Sequence, residues 1–103
     1  MKPSELLSGP EKWTKGFYAK DKNLKHVSHI SEDAFCFCII GAIMHCDPER
    51  ADHAHDASKV MDKIVEKRFS QRLNRATDIV VQFNDHPDTK YEEVISVLQE
   101  AGL

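Results

Sequence analysis

The sequence has no apolar run long enough to cross a bilayer. Its longest, Ala34 to Met44, is 11 residues, against the roughly 18 that a spanning helix needs, so no membrane association is expected. Met1-Lys2-Pro3-Ser4-Glu5 is followed by no apolar signal region, and no secretion signal is read there. Cysteine is scarce and odd in number, three in all. A disulfide framework is therefore not expected; free thiols in a reducing, cytoplasmic compartment are. A basic surface is also missing. The formal net charge is −3, whereas a phosphate-tracking surface normally carries a basic stripe. The nearest approach is the scatter Lys12, Lys15, Lys20, Lys22 and Lys25, which contains no arginine. Its aromatics Trp13, Phe17 and Tyr18 form no regular stacking series, so no nucleic-acid partner is expected. The chain has no internal repeat and no low-complexity segment.

What is present suits one small globular domain spanning residues 1–103, with 41% hydrophobic and 30% charged residues. A short helix is predicted over Ser4–Leu7, stopped by Gly9-Pro10, and another over Glu11–Phe17. Tyr18–Lys20 and Leu24–Val27, around the polar Asp21-Lys22-Asn23, read as a small hairpin, although no Asn-Gly or Asp-Gly pair marks its turn. Ser31-Glu32-Asp33 has the composition of a helix start, a capping serine followed by acids. The helix it introduces, Ala34 to about Cys46, is apolar on every side and must be surrounded by other elements. Gly41-Ala42 within it predicts a close helix crossing, because glycine is costly in a helix unless space demands it.

Asp47-Pro48 then starts a helix from Glu49 to about Phe69. Ala54, Ala57, Met61, Ile64 and Val65 share its apolar face, with Val60 widening it, and Asp52, Asp56, Lys59, Lys63 and Lys67 are solvated. A further amphipathic stretch runs from Ser70 or Gln71 to Asn84, with Leu73, Ala76, Val80 and Phe83 as its seam and Ile79 beside it. Whether Phe69-Ser70 divides two helices is left open by the pattern. Thr89 with Glu92 forms a capping box for the last helix, whose stripe is Tyr91, Val94, Ile95, Leu98 and Ala101, closed by Gly102. The expected fold is mainly α: a small helical bundle of about four principal helices around a buried central helix. An irregular N-terminal third, including the hairpin, folds over one side.

The candidate chemistry is thin. Cys36, Cys38, His45, Cys46, His53 and His55 include metal-ligand types, but zinc needs four ligands converging on one point. On a helix Cys36 and Cys38 lie about 200° apart, and Cys38 and Cys46 about 12 Å apart. The spacing matches neither a zinc finger nor a His-Glu-x-x-His site, so no cofactor is expected and the cysteines read as packing. His53 with Asp56, or Asp52 with His55, remains open to distant ligands. Cys46 beside His45 is the best-placed nucleophile pair, yet a helix C-terminus raises a thiol's pKa. Asn84-Asp85-His86 is the most concentrated polar group. Either it presents binding residues from a turn, or Asn84 ends a helix in the left-handed conformation while Asp85 bonds the turn backbone. Trp13, Phe17 and Tyr18 read as a lid over the central helix or as an exposed patch.

Several pieces occur in an order that resembles a family of small bacterial and phage proteins filed as a domain of unknown function. They are Trp13-Thr14-Lys15-Gly16, Tyr18-Ala19-Lys20-Asp21, Ala34-Phe35-Cys36-Phe37-Cys38-Ile39-Ile40-Gly41-Ala42 and Ile79-Val80-Val81-Gln82-Phe83-Asn84-Asp85, followed by Pro87 and Thr89. The chain departs from the pattern at Cys36, at Phe37 and over Glu49–Asn74. The resemblance implies no activity. It does imply that the Trp13 segment, Cys38–Ala42 and the Phe83-Asn84-Asp85 turn pack as one unit. The functional expectation is a non-enzymatic protein-interaction or regulatory module, such as a phage or mobile-element accessory protein. Its protein partner, or a second copy of itself, would meet Trp13, Lys15, Tyr18, Asn84, Asp85 and His86. The alternative is a small-molecule or metal-binding domain using the His45–His55 segment and the Asn84–His86 turn.

Overall fold

The computed structural model describes residues 1–47, 51–74 and 78–103, with 51–55 described by their backbone. Along the chain these form α1 (Pro3–Leu6), a 3-10 turn (Pro10–Lys12), β1 (Ala19–Lys20), β2 (His26–Val27), β3 (Cys36–Phe37), α2 (Ile39–Cys46) and α3 (Ala51–Phe69). A second 3-10 turn (Ser70–Arg72), α4 (Ile79–Asp85) and α5 (Tyr91–Glu100) complete the order. The protein is thus mainly helical, with a small antiparallel sheet in its N-terminal third.

The hairpin is formed. Asp21 replaces the missing turn glycine by accepting the N–H groups of Asn23 and Lys25 at 2.9 Å each, an aspartate-centred turn. The cost appears at Leu24, among the described residues the non-glycine residue held at positive φ, 63°. The sheet order is β2-β1-β3, with Ala19 opposite both Val27 and Phe37. The 3-10 turn at Pro10–Lys12 stands where a helix to Phe17 was predicted. Beyond it the chain becomes extended, because Trp13 bridges to Phe37 and the Thr14 N–H donates to the Phe37 carbonyl at 3.0 Å.

The all-apolar segment holds the main departure from expectation. Its first half is strand: the Phe35 N–H reaches the Lys20 carbonyl at 2.8 Å, and Cys36 and Phe37 are both buried in β3. A strand buried on both faces has no alternation, so its apolar run cannot be told from a buried helix by period. Ser31 caps no helix; its hydroxyl accepts the Asp33 N–H at 3.1 Å in a local turn. The cap of α2 is Cys38, whose sulfur accepts the Gly41 N–H at 3.2 Å.

The close approach at Gly41 is real, but its partner is the backbone just before β1 rather than a helix. A Cβ there would stand 1.9 Å from the Tyr18 carbonyl oxygen, and that same carbonyl accepts the Cys38 N–H at 3.2 Å. Glycine alone lets α2 lie on the backbone entering β1.

On α3, Met61 and Val65 are fully buried and Ala57 and Ile64 pack against them. Val60, expected to widen that face, is instead 49% exposed, since a position next to the seam turns past the core. Asp56, Lys59, Lys63 and Lys67 are exposed; the side chains of Asp52, His53, Ala54 and His55 lie outside the described residues. Phe69-Ser70 does divide two helices. Asp78 starts α4 by accepting the Val81 N–H at 3.1 Å, a local bond that sets a new N-terminus within the predicted stretch. Val80 and Phe83 are buried from α4, with Phe69 and Phe83 rings 4.8 Å apart. Leu73 and Ile79 pack beside them; Ala76 lies outside the described residues.

The predicted stripe of α5 is present, and Val97 joins it. Its cap is shifted by one residue from the predicted pair: Glu93, not Glu92, accepts the Lys90 N–H at 2.8 Å. Thr89 is buried, its hydroxyl accepting from Arg72 at 3.2 Å. That arginine also forms two bonds to Glu93, at 2.9 and 3.0 Å. Gly102, at φ 75°, ends the helix. Among the described residues no helix is long and apolar enough to cross a membrane.

Candidate functional site

Asn84 sits in the last turn of α4, 2% exposed. It does not end the helix in the left-handed conformation, the alternative drawn for it from sequence. Its side chain instead ties three segments together. Its carbonyl oxygen accepts the Trp13 indole N–H at 2.8 Å and the Ile39 backbone N–H at 3.0 Å. Its amide nitrogen donates to the Thr14 carbonyl at 3.1 Å and to Asp85 Oδ1 at 2.9 Å. An asparagine amide has two donors and two acceptor positions, and all four are in use. The implied unit of Trp13, the start of α2 and the Phe83-Asn84-Asp85 turn is therefore present, with Asn84 as its link.

The neighbouring residues extend the link to the loop before β1. Asp85 Oδ1 also accepts the Gly16 N–H at 2.9 Å, and Gly16 takes φ 87°, a conformation that favours glycine. The Lys15 amine donates to the His86 carbonyl and lies 5.3 Å from the Trp13 ring centre. His86 in turn accepts the Asp88 N–H through Nδ1 at 3.1 Å. Trp13 is thus packed against the core and held there by its indole.

Above this link lies a cleft of about 390 Å³, lined by Gly16, Phe17, Tyr18, His26, Cys38, Ile40, Val81, Asn84 and Asp85. Of the six residues singled out from sequence, it gathers Tyr18, Asn84 and Asp85. Trp13 and Lys15 do not line it, and His86 faces a separate polar depression with Arg68, Arg72 and Asp88. Phe17 was read from sequence with Trp13 and Tyr18 as a lid or an exposed patch, whereas His26, Ile40 and Val81 were not singled out as site residues. Val81 was the available signal: it is an apolar residue outside the Val80–Phe83 seam, and it is exposed. Phe17 stacks on His26 with ring centres 4.8 Å apart, and both Phe17 and Tyr18 are about half exposed.

The thiols are buried or partly buried. Burial pushes the Cys38 thiol upward, the Gly41 backbone bond opposing this and Asp85 adding to it. Cys46 is likewise raised, by burial first, with the N-terminal amine opposing and Glu5 adding to it. Cys36 is buried, its sulfur 3.8 Å from the Lys20 carbonyl. His45 bonds the His29 carbonyl through Nδ1 at 2.6 Å and lies against Phe37. Among the described residues no group of three or more His, Cys, Asp or Glu is placed to hold a metal ion.

A family model described as a family of unknown function, DUF6197, matches residues 4–102. No curated protein and no solved structure matches the chain.

Proposed function

The chain belongs to that family of unknown function, which brings no activity with it, and from the chain's own geometry we propose a non-enzymatic interaction module, an accessory or regulatory protein of the cytoplasm. Its ligand is a segment of another protein, and the receiving surface is the cleft between the Gly16–Tyr18 loop, β2 and α4. The observation that carries this reading is the pairing of a rigid floor with an apolar rim. Asn84 fixes the floor by four hydrogen bonds, while Phe17, Tyr18 and Val81 stay exposed around it. Apolar side chains gathered at a concave surface mark interaction sites, and aromatic residues dominate the energetics of such sites. We read the helices as a bundle packed about α2 that supports this surface. Nucleic acid is not the partner we propose, because the chain is acidic overall.

The reading is tested by affinity capture with the wild-type chain and with Val81→Arg, which places a long charged side chain in the cleft from an exposed position. A protein captured by the wild type and lost with a folded Val81→Arg supports the cleft as the receiving surface. Equal capture by both would overturn it. So would turnover of a substrate in a broad hydrolase panel that disappears on Asp85→Ala or His86→Ala. The small-molecule or metal-binding alternative draws on His53 and His55, whose side chains lie outside the described residues.

A further inference from the structure

Of the carboxylate, amide and backbone groups that line the cleft, Asp85 has acceptor capacity left for a ligand. Asn84 is saturated by its four bonds, and the Gly16 N–H is taken by Asp85. The Cys38 sulfur already accepts from Gly41, and a thiol is a weak hydrogen-bonding group. Asp85 differs. Both of its bonds fall on Oδ1, an ionised carboxylate can accept about four, and Asp85 is exposed. Among the described residues no cation forms an ion pair with it; the nearby Lys15 amine is turned to the His86 carbonyl instead. The rest of the rim and wall is aromatic rings and aliphatic side chains, with the His26 imidazole and the Tyr18 hydroxyl as its further polar atoms: Phe17 stacked on His26, Tyr18, Ile40 and Val81.

An occupant suited to this cleft needs an apolar stem, a face that tolerates aromatic rings, and a donor or positive charge at its tip. Arginine and lysine side chains have these parts: they lay methylene stems along apolar surface and keep a charged head apart, and cations are attracted to aromatic faces. The same attraction operates in this region already, where the Lys20 amine sits 5.3 Å from the Phe17 ring centre. We infer that the cleft receives a basic side chain, arginine or lysine, from a protein partner, with Asp85 Oδ2 taking its charged head and Phe17, Tyr18 and Val81 flanking its stem. This rests on the reading of the cleft as the partner's receiving surface. Asp85 is then a specificity residue rather than only a tether for Gly16.

The experiment follows the Gly16 amide and the Trp13 indole N–H by proton–nitrogen NMR while capped pentapeptides are added. Each peptide is alanine throughout except for a central arginine, lysine, citrulline or glutamate. The arginine and lysine peptides should shift both signals saturably at millimolar concentration. Citrulline, the neutral analogue of arginine, should bind at least about threefold more weakly, the scale of a partly exposed charge interaction. Asp85→Asn retains an oxygen for the Gly16 N–H, and it should reduce the arginine peptide to the citrulline level with the indole signal in place. Equal binding of arginine and citrulline peptides, binding of the glutamate peptide, or no saturable shift would overturn the inference. Butylguanidinium binding as tightly as the arginine peptide would overturn the protein source of the charge. Affinity capture separates the two levels. A partner kept by Asp85→Asn but lost by Val81→Arg removes the basic side chain and leaves the cleft; a partner kept by both removes both.

Discussion

The Trp13 indole N–H donates to Asn84 Oδ1 at 2.8 Å across 71 residues of chain, and the same oxygen accepts the Ile39 N–H. One side chain therefore joins the Trp13 segment, the start of α2 and the end of α4. Removing it leaves donors without partners, and each orphaned buried donor costs about 1–3 kcal/mol. Asn84→Ala should lose about 2–4 kcal/mol of stability by urea unfolding. Trp13→Phe should lose less, and the double variant should lose less than the sum, because the two share one bond. Additive losses would show that the bond does not couple the segments.

Gly41 faces a carbonyl that cannot retreat. Tyr18 O lies 1.9 Å from where a Cβ would stand, and it is held by the Cys38 N–H. In an ordinary helix Gly→Ala stabilises by about 1 kcal/mol. Here Gly41→Ala should destabilise by about 1–3 kcal/mol, the range of overpacked cores. A raised melting temperature for the variant would contradict the close approach.

Leu24 offers the opposite case. It holds φ 63° in the hairpin turn while its side chain is largely exposed, so little packing offsets the left-handed cost of about 1–2 kcal/mol. Leu24→Gly should raise stability by up to about 1 kcal/mol, part of the relief being offset by greater freedom of the unfolded chain. Calorimetry decides it, and a lowered melting temperature counts against the strain.

The Arg72–Glu93 pair sets a pH dependence. The bonds from Arg72 hold the Glu93 carboxyl below its ordinary value of 4.5, the Lys90 N–H helping and burial opposing. A carboxyl whose folded pKa is depressed adds stability that is present above its unfolded value and disappears as pH falls through the folded value. Glu93→Gln should therefore cost up to about 1 kcal/mol at neutral pH. Wild type and variant should converge as the solution is acidified below pH 4.5. A gap that stays constant down to acid pH would assign the effect to the hydrogen bond to Lys90 alone.

The three thiols should separate by burial. Cys46 is partly exposed, whereas Cys36 and Cys38 are buried. Iodoacetamide at mild alkaline pH should label Cys46 first, with the other two reacting on the unfolding timescale. Mass spectrometry after digestion reads the order, and early labelling of Cys38 would mean that the cleft floor opens.

Much of this was legible in the residues. The stripe of α5, the Met61–Val65 face of α3, the hairpin and the Gly102 stop follow from period, charge and turn chemistry, which are local properties. The choice between strand and helix at Cys36-Phe37 was not legible. It depended on an open edge of β1 being available to pair with, and an apolar run carries no record of that edge.

The same division holds for the candidate site. Sequence by itself determined that Asn84 and Asp85 form a polar concentration beside an apolar seam, that Trp13, Phe17 and Tyr18 are either a lid or an exposed patch, and that Gly41 marks a close approach. Only the tertiary structure decided that Asn84 is buried and saturated, that Tyr18 O is what Gly41 approaches, and that Val81 and Phe17 face one cleft with Asp85. Hydrogen-bond capacity is fixed by residue type, but which partners use it is decided by contacts as distant as 71 residues, and no local pattern encodes those.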